Sequence, residues 1–127
     1  NVRRTLRAGE IGKIMQLHQG EVYWVKLDKN DDTEIVHPHV IVLDDILGNS
    51  RIDYTIVCGI STNMKKAYGI GNVLLEEGEA NLKRRSIVVV SQISLVKKDQ
   101  IGEYIGTLTS SRVEEILHGI TQQQNLS

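Results

Sequence analysis

The chain has 127 residues, with 15 basic and 16 acidic side chains and a net charge of −1, which suits one domain whose core needs no disulfide or metal. Balanced charge excludes a general attraction to nucleic acid, so any nucleic-acid site has to be a local basic patch. No run reaches the ~20 apolar residues of a membrane helix, NVRRTLRAGE at the start lacks the apolar stretch of a secretory signal, and the one cysteine, Cys58, lies in an apolar run as a core thiol in a reducing, cytoplasmic setting would.

Residues 1–19 read as an N-terminal extension. Val2, Leu6, Ile11, Ile14, Met15 and Leu17 fall loosely on one helical face, with Arg3, Arg4 and Arg7 between the first of them. Gly9 and Gly12 weaken that helix, and Gly20 stops it. Residues 20–127 then form the domain. GEVYWVKL alternates as a half-buried strand, with Val22 and Trp24 on one face and Tyr23, Val25 and Leu27 on the other. Trp24 is expected to pack on the core. DKNDDTE is a polar loop of the kind that carries function. HVIVL, behind His37-Pro38, is a short β-branched run and so a buried strand.

GNSR is a turn and DYTIVCGIST a further strand. NMKKAYGIGN is a loop whose glycines serve turns, because it lacks the spacing of a phosphate loop. NVLL is a short strand, EEGEANLKRR a charged connection, and SIVVVSQISLV another buried strand turned by KKDQ. After the short strand EYIGTL, the clearest helix begins. Thr109 to Ser111 offer N-caps, Ser111 and Glu114 fit a capping box, and Val113, Ile116, Leu117 and Ile120 share one face as core contacts. TQQQNLS is expected to fray. Several short strands and a packing helix give a mostly β (α+β) class, a small antiparallel barrel or sandwich with helical additions.

In this order GEVYWVKL, Pro38 before VIVL, IVCGIST, SIVVVSQISLV and IGTLTSSRVEEILHGI resemble the MazF/PemK family of toxin endoribonucleases of toxin–antitoxin systems, over about residues 20–120. The resemblance implies a small SH3-like antiparallel β-barrel with a C-terminal helix; residues 1–19 lie outside it and are read from their own pattern as an extra N-terminal helical segment. It implies a homodimer, a groove taking single-stranded RNA or the tail of an antitoxin protein, and RNA cleavage without a metal or other cofactor. A related branch, CcdB, binds DNA gyrase instead, so a non-catalytic module binding nucleic acid or a protein is the second reading. The chain also departs from the family. His37 stands where an Arg precedes the proline, Ile60-Ser61 replaces an Ile-Thr pair with Thr62 one place on, and Val89 and Ser91 occupy the places of an Arg and an Asp before Gln92.

Cleavage by a ribose 2′-hydroxyl needs a base, an acid for the leaving 5′-oxygen, and donors for the charge on phosphorus. Histidine suits the first two roles near neutral pH. An extended His37-Pro38-His39 puts both imidazoles on one face, with Cβ atoms ~7 Å apart, a span that brackets a phosphate. His37 is therefore the candidate substitute for the Arg and His39 its partner. Ser61 and Thr62 are candidate phosphate donors, and Glu34 orients an imidazole or acts as base. Lys83, Arg84 and Arg85, then Lys65, are candidate phosphate contacts, with Gln92 an RNA contact carried over from the family pattern. Tyr68, in a glycine-flanked loop, is the candidate for base stacking, ahead of Tyr54 and Trp24. His37 and His39 alone fall short of the three or four ligands of a zinc site.

Overall fold

The computed structural model describes residues 16–27, 36–45 and 52–125. The expected helix over residues 1–19 therefore lies outside the described residues except for its last four positions, as does Glu34. Six strands follow one another: β1 (Glu21–Val25), β2 (His37–Ile41), β3 (Tyr54–Ser61), β4 (Val73–Leu75), β5 (Ser86–Lys97) and β6 (Ile101–Thr107). They form one sheet in the order β4-β5-β3-β2-β1-β6, and every described pairing is antiparallel. A single long helix, α1 (Ser110–Asn125), closes the described chain.

Alternation along the strands makes two apolar layers. On one face Val22, Val40, Val42, Cys58, Ile60, Val88 and Val90 pack with Leu108 and Ile116 of the C-terminal region. On the other, Tyr23, Val25, Ile41, Val57, Val96 and Ile101 pack with Leu17. The first half of β5 is buried on both faces, from Ile87 through Val90, which is why IVVV is continuous rather than alternating. Its second half turns Ile93 and Leu95 outward.

The expected barrel is not closed by strand pairing, because β4 and β6 remain the two ends of the sheet. A 3₁₀ turn, Glu79–Asn81, lies along β6 instead. Asn81 Nδ2 donates to the Ile105 carbonyl at 2.9 Å, and a Cβ on Gly106 would come within 2.3 Å of the Ala80 carbonyl oxygen. Arg112 at the start of α1 grips this turn, its Nε and Nη2 each donating to Glu79 at 2.8 Å while Nη1 donates to Glu115 at 3.2 Å. The Arg112 bonds hold the Glu79 carboxyl below the ordinary glutamate range.

The cap of α1 is Thr109, whose hydroxyl accepts from Arg112 N at 3.2 Å and whose carbonyl accepts from Val113 N at 3.0 Å. The Ser111–Glu114 box therefore does not form the cap, since Ser111 is already inside the helix. Ile116 and Ile120 face the core, and Leu117 turns to solvent. The helix runs through the glutamines to Asn125, where fraying was expected. Gly119 meets Gly71 backbone to backbone: a Cβ on Gly119 would lie 2.0 Å from Gly71 O, and one on Gly71 2.2 Å from Gly119 O.

Gly119→Ala should therefore push α1 off the β4 side of the sheet, at a cost of about 2–4 kcal/mol; thermal unfolding should show a melting temperature lower by roughly 10 °C. Glu79→Gln should cost about 1–2 kcal/mol at pH 7. A carboxylate held low stabilises the fold above its unfolded pKa and loses that contribution as pH falls through the folded one. The gap between wild type and Glu79→Gln in denaturant titrations should accordingly shrink below about pH 4.

Candidate active site at the His37 end of the sheet

β2 begins at His37, two residues earlier than the apolar run suggests. Pro38 is tolerated in an interior strand because the pairing of β2 with β3 starts only at His39. Across β1, His37 lies opposite Val25, Pro38 opposite Trp24, and His39 opposite Tyr23. His37 and His39 share a face, as extended backbone requires, but their surroundings differ. His37 is exposed, whereas His39 is 3% exposed. His39 Nδ1 lies 2.9 Å from the His37 carbonyl oxygen. A carbonyl only accepts, so Nδ1 carries the proton and Nε2 is the bare, basic nitrogen. Burial pushes the His39 imidazole pKa below 6.5, so it is neutral at pH 7.

On the other side of β2, His39 pairs with Gly59. Gly59 is needed because the Gln92 side chain fills its place: a Cβ there would lie 2.4 Å from Gln92 Oε1. Gln92 reaches over Gly59 through a break in β5. Cys58 pairs with Ile93 but Gly59 with Val89, so Val90, Ser91 and Gln92 bulge between them. Asn72 holds the bulge. Its Oδ1 accepts from Val90 N at 3.0 Å and its Nδ2 donates to the Lys66 carbonyl at 2.8 Å.

Ser61 ends β3, and continuing the β2–β3 register by two residues sets it across from His37. Its Oγ accepts from Asn63 N at 3.1 Å, and Asn63 Oδ1 accepts from Lys65 N at 3.1 Å to cap the 3₁₀ turn Met64–Tyr68. Thr62 and Lys65 are exposed, and Tyr68 is 91% exposed. Ser61 also pairs with Ile87, so the tract Lys83–Arg84–Arg85 enters β5 at this same end of the sheet. All three are exposed, and Arg85 Nε is 3.2 Å from Glu76 Oε1.

The sequence candidates thus divide. His37, His39, Ser61, Thr62 and Gln92 come together across β2, β3 and the bulge, and the basic tract and Lys65 flank them. Trp24 does not pack as expected and is 39% exposed on the opposite face from the histidines. Cys58 is buried, its thiol pushed up to about 12 by burial, and carries no reactive thiolate. Among the described residues no cluster of three His, Cys, Asp or Glu side chains is placed to hold a metal ion. Sequence reasoning passed over Asn72, whose only sign was its place at the end of a glycine-rich loop, and Tyr104. Tyr104 of β6 lies opposite Tyr23 with ring centroids 5.5 Å apart.

Chemically, the site offers one exposed imidazole, one neutral imidazole with a fixed tautomer, two hydroxyls and a cationic margin. That set suits proton transfer at a phosphodiester.

A family model described as the PemK-like, MazF-like toxin of type II toxin–antitoxin systems matches residues 18–123. The chain is 25% identical over 114 residues to endoribonuclease MazF6 of Mycobacterium tuberculosis, covering 88% of this chain and 100% of that protein. It is 26% identical over 106 residues to endoribonuclease MazF of Staphylococcus saprophyticus, covering 82% and 88%. Among solved structures, a mycobacterial endoribonuclease in complex with its cognate antitoxin superposes with a TM-score of 0.70 at 18% identity, over 87% of this chain and 96% of that one. The Mycobacterium tuberculosis toxin MazF-mt6 does so with a TM-score of 0.69 at 18% identity, over 84% and 98%. At such identities the structural likeness speaks for the fold.

A histidine whose folded pKa is depressed adds stability that is complete above its unfolded pKa of ~6.5 and declines as pH falls toward the folded one. NMR of ring-labelled protein should find His39 as the Nδ1–H tautomer at pH 7, titrating below 6.5. A midpoint at or above that value would contradict the burial argument.

Proposed function

We propose, given that the chain belongs to the family of PemK-like, MazF-like toxins of type II toxin–antitoxin systems, that it is a toxin endoribonuclease cleaving single-stranded RNA without a metal. The observation that carries this reading is the exposed His37 at the strand end facing Ser61, inside a family match spanning residues 18–123. His37 takes the place of the Arg of the family pattern. As imidazolium it faces the charge on the scissile phosphate and donates its proton to the leaving 5′-oxygen. The 2′-hydroxyl loses its proton to His39 Nε2 or to Glu34 as its oxygen bonds to phosphorus, leaving a 2′,3′-cyclic phosphate and a 5′-hydroxyl. Ser61 and Thr62 donate to the non-bridging oxygens, Gln92 contacts the RNA, and Lys83, Arg84, Arg85 and Lys65 bind flanking phosphates. Tyr68 is a stacking side chain at the margin.

Family membership also supports residues 20–127 as one domain, since the family model matches residues 18–123. It supports reading the sheet, with Glu79–Asn81 along β6, as an SH3-like barrel. Homodimerisation and an antitoxin partner follow the same reasoning, the latter echoed by the similar mycobacterial endoribonuclease with its cognate antitoxin. No helix among the described residues is long and apolar enough to cross a membrane, in keeping with work in the cytoplasm.

Purified protein should cut single-stranded RNA equally well with and without a chelator. His37→Ala should lose at least about 100-fold in rate and Ser61→Ala about tenfold. His39→Gln and Glu34→Gln separate the two bases: the one that serves loses the alkaline-going rise of the pH–rate profile. Neutralising Lys83, Arg84 and Arg85 together should weaken binding and flatten its salt dependence. Binding without cleavage over a broad RNA panel would instead identify a non-catalytic binding module.

A further inference from the structure

Four exposed aromatic side chains are candidates to receive a base, and their settings differ. Tyr68 is 91% exposed on a 3₁₀ turn. Tyr54 has Lys97 Nζ over its ring at 5.9 Å, far along β3 from Ser61. Trp24 lies on the face opposite the histidines. Tyr104 alone combines exposure, 43%, with the histidine face. It pairs with Tyr23, which pairs with His39, so it stands two strand spacings, about 10 Å, from His39. Its ring packs at 65° against the fully buried Tyr23, and its hydroxyl meets Thr107 Oγ1. A ring fixed at its edge and its tip loses little freedom when a base is laid on it.

Resting on the RNA-cleaving reading above, we propose that Tyr104, braced by Tyr23, is the stacking platform for a base flanking the scissile phosphate. Its π-face accepts any base, so it sets affinity and the position of the strand rather than the sequence cut. The phosphate is engaged at His37 and Ser61 on β2 and β3, and the strand runs from there across β1 toward β6.

The test uses the full chain and two single-stranded probes in which 2′-deoxyribose prevents cleavage, one intact and one with abasic sites around the cut position. Tyr104→Leu, which keeps an apolar cover on Tyr23, and Tyr104→Ala should each weaken binding of the intact probe about tenfold to a hundredfold. Tyr104→Phe, which keeps the ring and its edge contact with Tyr23 but not the tip contact, should lose no more than about threefold, and the loss of the other two variants should vanish on the abasic probe. In cleavage assays the loss should fall on KM with kcat kept, opposite to His37→Ala. If both variants bind the intact probe like wild type while His37→Ala is inactive, the stacking role is wrong and the reading of the site stands. The role is also wrong if the loss persists on the abasic probe. If wild type neither binds nor cleaves RNA, both fall.

Discussion

The break in β5 is the constraint on which the site depends. The strand has to pair with both β4 and β3 in its first half and stay with β3 in its second, where its outer face meets solvent. Inserting Val90, Ser91 and Gln92 against a single step of β3 lets it do both, with the added local twist such an insertion brings. The insertion leaves Val90 N in need of an acceptor, and a buried unpaired amide is costly. Asn72 meets that need from another loop. In consequence Gln92 is carried over Gly59 and beside the partner of His39. The site is thus a product of sheet geometry as much as of the residues lining it.

The two histidines show how burial divides one residue type into two chemistries. They lie on one face, two positions apart, yet one is open to water and the other is sealed beside Tyr23. Desolvation keeps the inner ring neutral, and the carbonyl of the outer residue fixes which nitrogen is bare. The outer ring is left open to solvent. Where the family pattern has an Arg, which can only donate, this chain presents an imidazole, whose two ring nitrogens differ in what they offer.

Strong patterns were legible in the sequence. The Val22–Val25 alternation announces its strand because side-chain period follows the pleat, and TIVCGIS and IVVV announce theirs as short β-branched apolar runs. What failed were features decided by contact. SIVVVSQISLV reads as one uninterrupted strand, since nothing in its composition marks the register break. Trp24 looks like a core residue by type, but the cover over Val22 does not extend to it and it is left 39% exposed. Ser111 is by composition the better cap, yet the helix starts at Ser110 and Thr109 accepts the first bonds instead. His37 and Ser61 could be singled out as candidates from the sequence, because the histidine pair around Pro38 and the family pattern both point to those positions. Tyr104 sat unnoticed in EYIG because its partner, Tyr23, is some eighty residues away along the chain and only the sheet order brings them together.

The backbone contact between Gly71 and Gly119 has a consequence for how this chain can vary. In most packed pairs a larger side chain on one partner can be answered by a smaller one on the other. Here both partners are already at the smallest size, and the atoms in contact are main chain. No second substitution at the facing position can relieve a first. The two sites form an evolutionary dead end, escapable only by moving the helix itself.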